Sequence, residues 1–236
     1  DNALQLSLHE MTHVMQMSSL RQGISGILSL PLGEHYIGAI AGFLPMWFME
    51  GDAVLMETMI SESGRGRSPS FNKEVKALAV ERGKFYSYDK ILHGSYRHFT
   101  PDEYKYGYRM VEWVARNHGY NIWNKALGFT AKYPFTFVPF NIGLSSGAGL
   151  TKQKVFSQTF KSLAGEWKKE DEKFPADSYL SVNTPKGRNY INYYSPVIAG
   201  SGHIAAIKVS MYDPPGIVLI NTETGEEKKL VTPGYL

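Results

Sequence analysis

His9-Glu10-Met11-Thr12-His13 lies in a run of helix-favouring residues, Leu8 to Leu20, and constrains this chain more than any other stretch. An α-helix turns about 100° per residue, so positions i and i+4 sit about 40° apart and roughly 6 Å along the axis. His9 and His13 therefore point the same way, and two imidazoles so placed can share one zinc ion. Glu10 falls about 100° further round the helix. That is too far for the obvious third ligand and near enough to hold a metal-bound water, which is the position of a general base. The chain has seven histidines, so a single i, i+4 pair calls for a second, independent signal.

Pro45 to Thr58, PMWFMEGDAVLMET, supplies it. Pro45 suits a helix start, and the apolar residues after it recur at helical spacing, which places Glu50 in the first turns of a second helix. A carboxylate there can complete a His2Glu site. Glu57, seven residues on, returns to the same face with a displacement of about 20° and can accept the second N–H of a ligand histidine. Gly51 and Ala53 keep this helix slim and are expected to let it approach the His9–His13 helix closely.

The segment Trp47-Phe48-Met49-Glu50-Gly51-Asp52-Ala53 resembles the W-x-x-E-G-x-A signature of the gluzincin metallopeptidases, the clan of aminopeptidase N and the thermolysin-like enzymes. The resemblance implies that His9, His13 and Glu50 are zinc ligands, that Glu10 is the general base and that Glu57 supports a ligand from behind. The interval between His13 and Glu50 is 36 residues, longer than in aminopeptidase N-like members, and Gly23 to Leu44 reads as an insertion. Gluzincins normally carry a strand layer before the H-E-x-x-H helix. Here the motif begins nine residues in, so an upstream region is expected.

Composition bounds the rest. With 236 residues, 43% of them apolar, the chain can bury one sizeable core and part of a second domain. A net charge of +3 with scattered lysines and arginines indicates no nucleic-acid partner. The absence of cysteine rules out disulfides and Cys-ligated metal, leaving His and carboxylate as donors. A cysteine-free chain also suits a bacterial envelope or secreted setting, periplasmic or outer-membrane associated. Ser25 to Met49 is the most apolar stretch, but Pro31, Gly33, Glu34 and His35 interrupt it, so buried or lid-like structure is expected rather than a membrane span. Glu34 and His35 stand as rival ligand sources.

Further along, Ser61 to Ser70 reads as a flexible polar connection with two solvated arginines, followed by a short helix from Asn72 to Arg82. Thr100 as N-cap, Pro101 at N1 and Glu103 at N3 form a capping box for a helix that stops at Gly119. Its first turn carries Tyr104, three residues before Gly107. In aminopeptidase N-like gluzincins a Tyr so placed hydrogen-bonds the oxyanion, and the resemblance gives Tyr104 that role. Tyr96, Tyr106, Tyr108, His93 and His98 are the alternatives. Helices are expected from Asn121 to Lys132 and, with Thr151 as N-cap, to about Lys173. Asn141 to Gly149, rich in glycine and serine, reads as a loop.

After Phe174-Pro175 the composition turns β-branched and aromatic, with strands expected at Ile204–Val209 and Ile217–Ile220 between turn residues. Tyr194-Ser195-Pro196, which would open a strand, and the Thr224-Gly225 turn resemble one blade of a TolB-like β-propeller. The expected fold is mainly α: a helical zincin-type catalytic region, the second half of a thermolysin-like fold, over 1–175, then a β-rich segment over 176–236 that reads as the first blade of a propeller. The expected activity is zinc-dependent hydrolysis of peptide bonds in a peptide or protein substrate. Two alternatives remain: a catalytically silent peptidase-fold platform for a propeller, and a metallohydrolase acting on a non-peptide bond.

Overall fold

The computed structural model describes residues 2–81, 85–174, 180–183 and 190–232. The chain is mainly helical with a small antiparallel sheet near its C-terminal end, as the composition led one to expect. Two compact units emerge from its contacts: Asp1–Leu92 with Pro101–Lys173, and His93–Thr100 with Phe174–Leu236. The expected boundary at 175/176 lies outside the described residues, as does Arg82.

The helical unit is built round α3 (Met46–Ile60), which starts after Pro45 as expected. It packs between α1 (Asn2–Ser19) and α6 (Glu103–His118). Nine of its residues are buried, so it is a central helix and not an amphipathic surface one. Trp47 and Phe48 enter an aromatic cluster with Trp123 of α7 (Asn121–Lys132) and Phe140 of α8 (Pro139–Ala148). The Trp47 indole N–H donates to Tyr88 Oη at 3.0 Å, so the buried ring leaves no polar atom unpaired. Gly51 departs from its expected role. A Cβ on it would lie 2.3 Å from the Gly107 carbonyl carbon, and one on Gly107 would lie 2.1 Å from the Trp47 carbonyl oxygen. The two glycines let α3 cross α6, not α1, at backbone contact.

Several expectations need correction. Helix α6 starts two residues later than the Thr100 capping box implies: Asp102 is the N-cap, and its carboxylate accepts from Lys105 N at 3.1 Å. Aspartate caps at least as well as threonine, and Asp102 stands nearer the apolar run. The segment read as a loop at Asn141–Gly149 lies almost wholly in α8, because Phe140 and Leu144 are spaced i, i+4 and bury against α7. Gly143 there abuts Ala126 and Phe129, so its small size serves helix packing. The apolar stretch after Gly23 forms α2 (Gly23–Ala41), broken at Gly33, where φ is +69° and ψ −161°. Of the two expectations for it, buried or lid-like, burial fails: only Ser25, Ile37 and Ile40 are buried, and Ile27 and Leu30 are largely exposed. Among the described residues no single helix is long and apolar enough to cross a membrane.

Helix α4 (Pro69–Val80) begins three residues before the expected Asn72, with Pro69 in its first turn. A short α5 (Tyr88–His93) was not foreseen, and α9 (Lys152–Lys173) follows Thr151 as expected. The sheet is a meander of β1 (Ile191–Ile198), β2 (His203–Ser210), β3 (Gly216–Asn221) and β4 (Glu227–Val231), each strand antiparallel to the next. Gly216, Val218 and Ile220 alternate inward along β3, the period-2 pattern of a half-buried strand. Tyr194-Ser195-Pro196 lies within β1, not at its start. The register shifts there and Ser195 takes φ +48°, the kink by which an edge strand accommodates a proline.

Candidate metal centre

One turn of α1 sets the ring centroids of His9 and His13 4.8 Å apart and nearly perpendicular, at 88°. Their Nε2 atoms are 3.2 Å apart. From α3, Glu50 Oε2 comes to 3.2 Å of His9 Nε2 and 3.5 Å of His13 Nε2. Nitrogen and oxygen ligands at about 2.0–2.1 Å in a tetrahedral shell lie roughly 3.3–3.4 Å from one another. The three atoms therefore have the spacing of one tetrahedral face. Among the described residues they are the one cluster of three or more potential ligands able to hold a metal ion.

Behind His9 stands Glu57, whose side chain is 1% exposed. Its Oε2 lies 3.4 Å from His9 Nδ1 and accepts from Arg65 Nη2 at 3.0 Å. Its Oε1 accepts from Gln5 Nε2 at 3.0 Å, Arg65 Nε at 2.7 Å and the Arg65 backbone N–H at 3.1 Å. Burial by itself would raise the Glu57 carboxyl, but the hydrogen bonds from His9, Arg65 and Gln5 outweigh it and hold the group at about 2. Glu57 is thus a fixed carboxylate facing the outer nitrogen of one ligand histidine.

Arg65 is a correction to the sequence reading, which made SESGRGRSPS a flexible link with solvated arginines. The segment instead makes a single 3-10 turn, Arg65–Arg67, lying against α3. Gly64 and Gly66 flank Arg65 because a Cβ on either would strike Thr58 or the Tyr108 ring. Thr58 Oγ1 accepts from Gly66 N, and the Asn72 amide donates to the Gly66 carbonyl, so the turn is pinned at its middle residue through both backbone groups. It delivers both the backbone N–H and the guanidinium of Arg65 to one carboxylate. Arg65 also reaches His9 Nδ1 at 2.9 Å and lies 5.2 Å from the centre of the Tyr104 ring.

A different set of groups meets His13. Its Nδ1 is 3.0 Å from Gln16 Oε1. The Gln16 amide nitrogen donates to the Met49 carbonyl at 3.1 Å and to Asp52 Oδ2 at 2.9 Å. Tyr120 Oη donates to Asp52 Oδ1 at 2.8 Å. Gln16 and Asp52 are 2% and 3% exposed. Burial pushes the Asp52 carboxyl up, with the hydrogen bonds from Gln16 and Tyr120 and the proximity of His13 acting against it.

Of the other expected site residues, Tyr104 stacks on His9, with centroids 5.9 Å apart at 26°. Burial, and then the adjacent Glu50 carboxylate, raise its phenol above the ordinary tyrosine value, so it stays protonated. Glu10 is exposed. Tyr106 and Tyr108 are core residues, and Tyr96 is fully exposed. Glu34 pairs with Arg21, Glu34 and His35 are exposed, and neither joins the metal cluster. Gln5, Gln16, Asp52, Arg65 and Tyr120 carried no motif that would single them out. The one usable signal was helical spacing: Gln16 follows His13 by three residues, one turn along the same face. Comparison of the chain with protein-family models, curated proteins and solved structures returned no match.

Proposed function

We propose that this chain is a zinc-dependent peptidase of the gluzincin type, with His9, His13 and Glu50 as ligands. The carrying observation is the near-tetrahedral spacing of their three donor atoms, with a buried carboxylate fixed behind one histidine. Two neutral imidazoles and one carboxylate form the donor set of zinc hydrolases, which leave a coordination position open. Zinc held there supplies Lewis acidity that polarises a carbonyl and lowers the pKa of water.

The protein groups divide the remaining work. Glu10, exposed and adjacent to His9, takes a proton from the attacking water and returns it to the leaving amine. Tyr104, kept protonated beside Glu50, donates a hydrogen bond to the oxygen that gains charge. A ligating His9 must carry its proton on Nδ1, where Glu57 Oε2 at 3.4 Å is the acceptor and the Arg65 guanidinium at 2.9 Å is a competing donor.

Elemental analysis of the purified protein tests the metal site: about one zinc per chain is expected, and Glu50→Ala should lose it. Cleavage of a peptide library tests the activity. Glu10→Gln should retain zinc and lose turnover by a factor of about 10² or more. Zinc binding with no cleavage by the parent protein would favour the platform reading, to which the exposed Met11, Val14 and Met15 of α1 lend some support. A Glu10→Gln variant with full activity would exclude Glu10 as the base.

A further inference from the structure

We infer that Gln16 is a positioning residue that locks His13 in its Nδ1–H tautomer, with Met49 and Asp52 setting the orientation of the Gln16 amide. Donor and acceptor identities alone fix the tautomer. A backbone carbonyl only accepts, so the end of the Gln16 amide at Met49 O must be nitrogen. That holds whatever the protonation of Asp52, which accepts from the same nitrogen at 2.9 Å. The other end, 3.0 Å from His13 Nδ1, is therefore oxygen, an acceptor. Nδ1 must carry the hydrogen, which leaves the Nε2 lone pair facing Glu50 and His9.

The lock spans two helices and the start of a third. Gln16 lies on α1 one turn beyond His13, Met49 and Asp52 flank Glu50 on α3, and Tyr120, the residue before α7, donates to the far oxygen of Asp52. The orienting groups thus bracket the carboxylate ligand in sequence. A shift of α1 along α3 would break the Gln16 bonds and misplace His13 together. His9 has Glu57 behind it and His13 has this neutral amide, so the two ligands are held by groups of different charge. Two anionic supports would add electron density to both imidazoles; here only one does. The tautomer follows from the contacts themselves, and only the consequence for metal affinity rests on the proposed zinc site.

Long-range ¹H–¹⁵N NMR of the metal-free parent, at about pH 8, reads the tautomer directly. His13 should show the Nδ1–H pattern. Finding Nε2–H would overturn the inference, with no variant needed. Gln16→Leu should lose the single tautomer and bind zinc about 10–100-fold more weakly in a chelator competition. Gln16→Glu alone sets a second carboxylate against Asp52 and should also weaken binding. Gln16→Glu with Asp52→Asn supplies a donor to the new carboxylate and keeps an acceptor for Tyr120 but leaves that carboxylate facing the Met49 carbonyl, so it should recover only part of the affinity that Gln16→Glu loses. A Gln16→Leu protein that keeps both the tautomer and the affinity would count against the assignment. If the parent shows the Nδ1–H tautomer and yet binds no zinc, the positioning stands and the metal reading fails.

Discussion

Glu57 and Arg65 show what a single residue contributes beyond its own chemistry. The Glu57 carboxylate accepts from Gln5 and three times from Arg65, all in a buried setting. Arg65→Met removes two charged donors and leaves the backbone N–H and Gln5. The expected cost is about 1–3 kcal/mol, the penalty for a buried acceptor that loses its partner, readable as a lower urea midpoint. Glu57→Gln keeps the shape and loses the fixed charge behind His9, so its expected mark is on zinc affinity, weaker by about 10–100-fold in chelator competition. A variant with unchanged affinity would reduce Glu57 to a structural anchor for the Arg65 turn.

At the scale of elements, the α3–α6 crossing holds the site in register. Gly51 and Gly107 face each other with no room for a Cβ on either. Gly107→Ala must push the helices apart at Trp47, one turn from Glu50, with backbone and not a flexible side chain in the way. A loss of about 1–3 kcal/mol is expected from overpacking, with reduced zinc content at the same time. A thermal melt and an elemental assay check the two together. In the sheet, Glu227 is the element-level control. Burial alone would raise its carboxyl, but Lys208, Tyr193 and Asn183 outweigh that and hold it below the ordinary carboxylate value. Because the folded value is the lower one, its contribution is present above the unfolded value of about 4.3 and is lost as pH falls through and below it. Amide protection in β2 and β4, with the intrinsic pH dependence of exchange divided out, should fall on acidification in the parent, and Glu227→Gln should flatten that dependence.

Across the whole molecule, the proposed zinc joins α1 to α3, two helices separated in the chain by α2. An ion that binds only the folded arrangement stabilises it by mass action, by about 2.7 kcal/mol at a hundredfold excess over Kd. Zinc should therefore raise the melting midpoint of the parent, and a chelator should reverse the rise. His9→Ala should melt at the same temperature with and without zinc.

The chain's own pattern determined the parts of this protein that depend on local spacing. His9 and His13 share a face because helices turn at a fixed pitch, Glu50 and Glu57 share one for the same reason, and β3 alternates because strands do. Most of the helices and the antiparallel sheet were legible on those grounds, and so was the candidate ligand set. Only the tertiary structure decided what lies between elements. It gave Gly51 to α6 and turned a glycine-rich loop into α8. It also brought Arg65 to Glu57, and set Gln16 against Asp52 and Tyr120. Those contacts depend on how close two backbones approach and which polar atoms are left facing each other when they do. Spacing along one element carries no record of its neighbour.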